Sequence, residues 1–191
     1  MNRPRLLVFA GPNGSGKTTA TRDTPIIGVY VNADDIKAAS GCSDLEAAEQ
    51  ATRMRESFLK AHADFTFETV LSTDRNLELI HRAKADGYEI MSVFIVTTSA
   101  SINVARVRAR VATGGHDVPE DKIRSRYKRS LANLPALIEL SDSIAVIDNT
   151  GDDPVLIFAR DASGSVIQPS IDWPEERIRQ LVGLKKSPTP R

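Results

Sequence analysis

The segment Gly11, Pro12, Asn13, Gly14, Ser15, Gly16, Lys17, Thr18 fits the pattern G-x-x-x-x-G-K-[ST] at every fixed position. Three glycines in six residues let backbone N–H groups curl around an anion with no side chain intervening, and a helix opening at Lys17 adds its positive dipole end. The chemistry this spacing predicts is the binding of a nucleotide's phosphates. Gly11 through Thr18, with Thr19, are the candidate nucleotide-binding residues. Lys17 is expected to reach the β- and γ-phosphates of ATP, and the Thr18 hydroxyl to ligate Mg²⁺. Val31-Asn32-Ala33-Asp34-Asp35 then puts an acid at the carboxyl end of an apolar run, where a carboxylate can take the proton of an acceptor hydroxyl during phosphoryl transfer. Acidic residues also favour helix N-caps. One of the pair is therefore expected to cap and the other to act, with Asp34 as the catalytic one. Phe67-Glu68-Thr69 ends a further run. Glu68 reads equally as a group that binds the acceptor or a metal-bound water and as a structural pairing partner, and Thr69 lies beside it on the substrate side.

A third cluster is cationic. From Ala105 to Ser130 the chain carries Arg106, Arg108, Arg110, Lys122, Arg124, Arg126, Lys128 and Arg129 against Asp117, Glu120 and Asp121, eight bases to three acids, a net +5. From Ala33 to Asp74 nine acids face four bases, a net −5. Guanidinium forks suit the oxygens of a phosphoryl group in transit, so residues of about 105–130 are expected to form a helical lid hinged at Gly114-Gly115. Arg110 and Arg126 are the first candidates, with Arg106 and Arg129 behind them. The remaining arginines read as solvated helix faces. His116, His62 and His81 carry no assigned role.

These groups need a scaffold that gathers strand ends. Leu6–Ala10, Gly28–Asn32, Phe65–Val70, Tyr88–Thr97 and Ser143–Ile147 read as strands, several of them apolar on both faces, as buried parallel strands are. Helices are predicted from Lys17, after a Ser43/Glu46 capping box, over 74–86 with Gly87 closing it, over 100–112 and over 119–140. Pro135 should kink or interrupt the last of these. The stripe Ala47, Ala51, Met54, Phe58, Ala61 marks the apolar face of the capping-box helix. Val155–Ala159 and Val166–Gln168 suggest a terminal hairpin, followed by a short helix over 173–181. Strands alternating with helices make the fold class α/β: a five-stranded, mainly parallel sheet sandwiched by helices, with a helical basic lid and a C-terminal β-hairpin. Ligands of such sheets bind beyond the carboxyl ends of the strands, where every candidate residue falls. Residues 1–184 are expected to form a single domain and 185–191 a flexible tail.

The chain has 191 residues with 25 Lys+Arg and 25 Asp+Glu, so its formal charge is zero. That balance counts against a molecule devoted to nucleic acid or to an anionic membrane. No apolar run approaches the ~20 residues of a membrane span, and Leu6–Ala10 is too short for a secretory leader. With Cys42 the only cysteine, a cytoplasmic location is expected. There is no guanine-specifying N-K-x-D loop, and Ser143–Asp148 ends the last parallel strand, so a GTPase or motor ATPase fits less well than a small-molecule kinase.

Taken in order, Ala10–Thr19, Val31–Ile36, Phe67–Thr69, Arg110–Pro119, Arg126–Pro135 and Asp148-Asn149 resemble the zeta toxin family of phosphate-loop kinases, over roughly residues 5–151. The Gly114-Gly115-His116-Asp117-Val118-Pro119 element is more specific than the phosphate loop alone. The resemblance implies an ATP- and Mg²⁺-dependent phosphotransferase acting on a hydroxyl of a nucleotide sugar such as UDP-N-acetylglucosamine, and a toxin that a small antitoxin blocks. It implies Asp34 as base, Glu68 as a substrate-side carboxylate, and Arg110 and Arg126 facing phosphate. Glu68 is followed by Thr69-Val-Leu-Ser72 with Arg75 further on, where plasmid-borne members carry a Gly-rich segment with an arginine, so the chain resembles a compact branch. Two other readings stay open: a non-catalytic ATP-binding regulatory module, and a nucleic-acid end kinase, against which the lack of aromatics among the lid arginines counts.

Overall fold

The computed structural model describes residues 3–185; the expected tail, apart from its first residue, lies outside them. Short apolar runs alternating with amphipathic stretches give β1 (Arg5–Ala10), α1 (Lys17–Asp23), β2 (Val29–Val31), α2 (Ala33–Ser40), α3 (Asp44–Lys60), β3 (Phe65–Thr69), α4 (Asp74–Ala85), β4 (Glu89–Val96), α5 (Ala100–Ala112), α6 (Glu120–Leu140), β5 (Ser143–Asp148), β6 (Val155–Asp161), β7 (Gly164–Ile167) and α7 (Glu175–Leu181). The strands form one sheet in the order β2-β3-β1-β4-β5-β6-β7. The five strands from β2 to β5 are parallel, and β6 and β7 are antiparallel. The predicted parallel sheet is thus present, and the hairpin extends it to seven strands.

β1 sits between β3 and β4, and Leu6, Leu7, Val8, Phe9 and Ala10 are all buried. A strand covered on both faces needs no polar alternation, which is why its sequence reads as a continuous apolar run. The main core runs from β1 through Phe65, Phe67, Tyr88 and Ile90 to Trp173, Ile178 and Val182 of the α7 region. Leu7, Phe9 and Ile95 face the opposite side, packed on Ala20 of α1. A separate small cluster, Val104, Val107, Val118 and Ile123, holds α5 to α6. The lid therefore has an apolar centre of its own.

Three expectations are corrected. The capping box of Ser43 and Glu46 forms, but the buried face of α3 is Ala47, Ala51, Arg55 and Leu59. Met54 and Phe58 only flank the core, and Ala61 is exposed. A strict i, i+4 repeat carries Arg55 inward, so an arginine occupies what reads as an apolar stripe. Pro135 does not interrupt α6, which runs as one helix from Glu120 to Leu140 with the proline inside it. Neither Asp34 nor Asp35 caps α2. Its N-cap is Asn32, whose side-chain carbonyl accepts the Asp34 N–H at 3.0 Å, and this leaves both acids in the first turn with their carboxylates unused by the cap. Among the described residues no helix is long and apolar enough to cross a membrane.

Candidate active site

The parallel strands all end at one edge of the sheet, and the loops leaving that edge enclose a cleft of about 1370 Å³. Its lining brings together Asn13, Gly14, Gly16, Lys17, Thr18 and Thr19 of the phosphate loop, Asp34 and Asp35, Glu68 and Thr69, and Arg106, Arg110, Arg126 and Arg129 of the lid. Gly11, Pro12 and Ser15 lie behind that surface and are buried. The sequence-predicted site residues thus converge, with these three forming the loop's inner wall.

The loop starts by continuing the sheet: the Gly11 N–H donates to the Thr69 carbonyl at 3.2 Å. Two asparagines from distant elements then fix it. Asn149, just past β5, donates to the Ser15 carbonyl at 2.7 Å, and Asn103 of α5 donates to the Asn13 carbonyl at 2.6 Å. The packing is so close that a Cβ at Gly16 (φ +98°) would stand 2.1 Å from Asn149 Nδ2, and one at Gly11 (φ +144°) 2.1 Å from the Ile95 carbonyl oxygen. Both glycines are needed for backbone conformation and for the approach of their neighbours. Arg106 belongs to the same scaffold. Its fork donates to the carbonyls of Asn149 at 2.6 Å and Thr150 at 3.1 Å. Although it lines the cleft, it is a positioning residue for the loop that holds Ser15. Asp148 holds the hydroxyl and N–H of Thr150 and does not line the cleft.

Lys17 is buried. Its ammonium donates back to the Pro12 carbonyl at 3.0 Å and lies 4.0 Å from Glu68 Oε1. Burial pulls its pKa below the usual 10.5, Glu68 and Asp34 pull it back up, and Arg110 reinforces the depression. Both acids and the lid arginine therefore act electrostatically on the lysine. Glu68 is the hub of the acidic side. Its Oε2 accepts from the Tyr30 hydroxyl at 2.8 Å, and Asn32 in turn donates to Tyr30 at 3.2 Å. Burial first, then the Glu68 charge and hydrogen bond, raise the Tyr30 pKa well above 10.0, so it stays a neutral donor. The Thr18 hydroxyl faces Glu68 Oε1 at 3.5 Å. These two hard oxygen donors beside a phosphate cradle fit Mg²⁺, which takes few protein ligands.

Thr69 accepts the Leu71 N–H at 2.9 Å and the Asn76 side-chain amide at 2.6 Å. It holds a turn in which the buried Leu71 has φ +54°, a conformation costly for a branched side chain. Asn133 of α6 donates to the Leu71 carbonyl at 3.1 Å. Of the basic cluster, Arg108 and Arg124 are tied to Glu120 at 2.6 and 2.8 Å. Arg110 donates to the His116 carbonyl at 2.8 Å across the Gly114-Gly115 turn. Arg126 and Arg129 line the cleft. Sequence reasoning missed Tyr30, Asn103, Asn149 as a latch, and Arg55. Only Arg55 left a local trace, its spacing from Ala51 and Leu59.

Fold and site together define a phosphate-loop α/β protein whose cleft is closed by a basic helical pair. The zeta toxin family model matches residues 27–162, and the chain belongs to that family. The match begins beyond the phosphate loop, so the widespread glycine motif lies outside it. An uncharacterized protein of Haemophilus influenzae is 29% identical over 133 residues, 64% of this chain and 92% of its own. Among solved structures, the AvrRxo1-ORF1:AvrRxo1-ORF2 complex with ATP superposes with a TM-score of 0.71 at 15% identity, covering 99% of this chain and 66% of that one. The native form of that complex gives 0.71 at 16%, covering 94% and 64%. The PezAT chromosomal toxin–antitoxin system of Streptococcus pneumoniae gives 0.56 at 16%, covering 78% and 69%. These likenesses are of fold. The chain spans just under two thirds of the AvrRxo1 chains it matches.

Proposed function

We propose that the chain is a kinase-type phosphotransferase that moves the γ-phosphoryl of ATP to a hydroxyl of an anionic metabolite of nucleotide-sugar type, UDP-N-acetylglucosamine being the first candidate. The observation that carries this reading is the shared cleft. Lys17 and the phosphate loop line the same cleft as Asp34, Glu68, Arg110 and Arg126, and Glu68, Asp34 and Arg110 act on the Lys17 charge. In this reading the loop N–H groups and Lys17 hold the triphosphate. Asp34, exposed at the first turn of α2, accepts the acceptor's hydroxyl proton. Glu68, kept in orientation by Tyr30, binds the acceptor side. Arg110 and Arg126 stabilise charge on the transferring group. Thr18, with Glu68 beside it, would hold Mg²⁺, which supplies charge neutralisation between the phosphates. The cleft volume exceeds the range of about 300–1,000 Å³ of single-ligand pockets, which suits two substrates. The family, and the fold shared with a toxin–antitoxin pair, support a toxin role with a partner protein that covers the cleft.

The test uses labelled ATP with UDP-N-acetylglucosamine, a bacterial metabolite extract and an oligonucleotide with a free 5′-hydroxyl. The native chain is expected to label a small metabolite and not the oligonucleotide. Asp34→Asn is expected to lower transfer by about 10²–10⁴-fold while ATP binding persists. Unchanged transfer in that variant removes Asp34 from the mechanism. ATP binding with no labelled product in any pool leaves the regulatory-module reading in its place.

A further inference from the structure

Helices α3, α4, α5 and α7 end in the same way, and α5 departs from the others at a position where its backbone does not require it. In each, the N–H of the second residue beyond the cap returns to a carbonyl five residues earlier: Ala63 to Phe58 at 3.1 Å, Tyr88 to Ala83 at 3.0 Å, Gly115 to Arg110 at 3.0 Å and Leu184 to Arg179 at 2.8 Å. The residue before it bonds three back, His62 to Leu59, Gly87 to Lys84, Gly114 to Val111 and Gly183 to Gln180. This is the Schellman ending, which needs a positive φ at the first of the two positions. His62, Gly87, Gly114 and Gly183 supply it, at +49°, +87°, +86° and +75°. The second position commonly carries a side chain that packs back on the helix, and Ala63, Tyr88 and Leu184 fill it in α3, α4 and α7. In α5 it is Gly115, whose φ lies outside the left-handed region. Backbone conformation therefore does not account for this glycine.

What Gly115 makes room for is the side chain of Arg110. A Cβ at position 115 would stand 2.5 Å from Arg110 Cγ and 3.2 Å from its Cδ. The arginine stem crosses the turn there, and its fork donates to the His116 carbonyl at 2.8 Å. Arg110, Gly115 and His116 all line the cleft. Helix α7 supplies the contrast. It has an arginine at the same place, Arg179, with Leu184 where α5 has Gly115, and Arg179 turns back along its helix to Glu175 at 2.7 Å. Four residues before Arg110 stands Arg106, a like charge that offers no such partner. With no acid behind it and an open place ahead, Arg110 bends forward over the turn. We propose that Gly115 is a positioning residue for phosphoryl transfer, its missing side chain directing Arg110 from the end of α5 into the cleft. This deepens the kinase reading and rests on it. It also divides the glycine pair: Gly114 serves the backbone and Gly115 the arginine.

The test separates the arginine's seat from the turn's stability. Ala63 shows that this ending accepts alanine at its second position, and Arg110 is exposed, so it can swing outward. Gly115→Ala is therefore expected to fold with an unchanged or slightly raised melting temperature. With labelled ATP and UDP-N-acetylglucosamine, Arg110→Ala is expected to lower kcat about 10²-fold and Gly115→Ala about 10-fold or more, while the KM for ATP moves little in either. The double variant is expected to be no slower than Arg110→Ala, because the glycine acts only through the arginine. In a crystal structure of Gly115→Ala the Arg110 fork is expected to have left the His116 carbonyl. Native kcat in Gly115→Ala overturns the proposal, as does a loss that recurs in full when Arg110 is already absent. A glycine needed only for the fold gives that second pattern with a lower melting temperature. Failure of Gly115→Ala to fold overturns it too, since Ala63 holds the same position in α3. Absence of transfer by the native chain is a different result. It counts against the kinase reading with that acceptor, and the crystal structure of Gly115→Ala still decides the seat: a displaced Arg110 supports it and an unmoved one overturns it.

Discussion

At the scale of single residues the site is an arrangement of charges that hold one another in check. Lys17 has been taken out of water and given two nearby acids and one nearby arginine. Its pKa lies below the value of the unfolded chain, so between the two values the unfolded state binds the proton more strongly. Stability attributable to this group therefore rises with pH across that window, and its cost is fully present below it. A triphosphate in the loop adds negative charge beside the ammonium and restores the protonated form. Nucleotide binding in alkaline buffer approaching pH 10.5 is accordingly expected to take up protons. Calorimetry in two buffers of different protonation heat measures the uptake, and Lys17→Met is expected to abolish it. Equal heats in both buffers for the native chain would mean that the lysine does not meet the phosphates. Lys17 and its glycines were legible in the sequence because a phosphate cradle is made of one short stretch, with every requirement inside eight residues. Tyr30, which orients Glu68, was not, because its partner lies 38 positions away and no local pattern records that pairing.

At the scale of elements, the loop's shape is imposed from outside it. Asn149 reaches the Ser15 carbonyl across 134 positions and Asn103 reaches Asn13 across 90, while Arg106 holds the backbone of Asn149. A helix of the lid, the end of β5 and the phosphate loop thus form one hydrogen-bonded unit. Removing the Asn149 side chain leaves the Ser15 carbonyl without its donor, a loss of about 1–3 kcal/mol, to be read as a lower midpoint in urea unfolding together with weaker ATP binding. The same contact predicts a coupling. Gly16→Ala suffers both its left-handed φ, worth roughly 1–2 kcal/mol, and the collision with Asn149 Nδ2. Asn149→Ala removes the second of these. The double variant is expected to lose less stability than the two single losses added together. Strict additivity would show that the two side chains do not meet. The same scale explains the misread face of α3. An apolar stripe can be drawn through Met54 and Phe58 or through Arg55 and Leu59, one position apart, and hydrophobicity alone favours the first. The arginine is inward because the cleft, and not only the core, borders that helix.

For the whole molecule, a formal charge of zero conceals a separation between an acidic stretch from Ala33 to Asp74 and a basic lid. That separation was legible from residue counts. Which arginines serve the cleft was legible only in part, because an exposed helix face and a ligand-facing one have the same composition. Arg108 and Arg124 share the single carboxylate of Glu120 away from the cleft, whereas Arg110, Arg126 and Arg129 line it. Likewise the hairpin was visible as two strands and a turn, but its pairing with β5 is a long-range register that turn chemistry does not encode. The division of the arginines has a measurable consequence. Charges open to solvent are screened over a Debye length of about 8 Å at physiological salt, and a cleft lined by more cations than acids attracts a polyanion over longer distances when salt is low. ATP affinity is therefore expected to fall as sodium chloride is raised, most steeply in the native chain. Arg126→Ala and Arg129→Ala are each expected to flatten that dependence, because each removes a cleft-facing charge that a ligand would meet. Arg124→Ala is expected to leave the slope unchanged, since its guanidinium is tied to Glu120 and does not line the cleft. Equal flattening by Arg124→Ala and Arg126→Ala would mean that net charge alone, and not the geometry of the cleft, attracts the nucleotide.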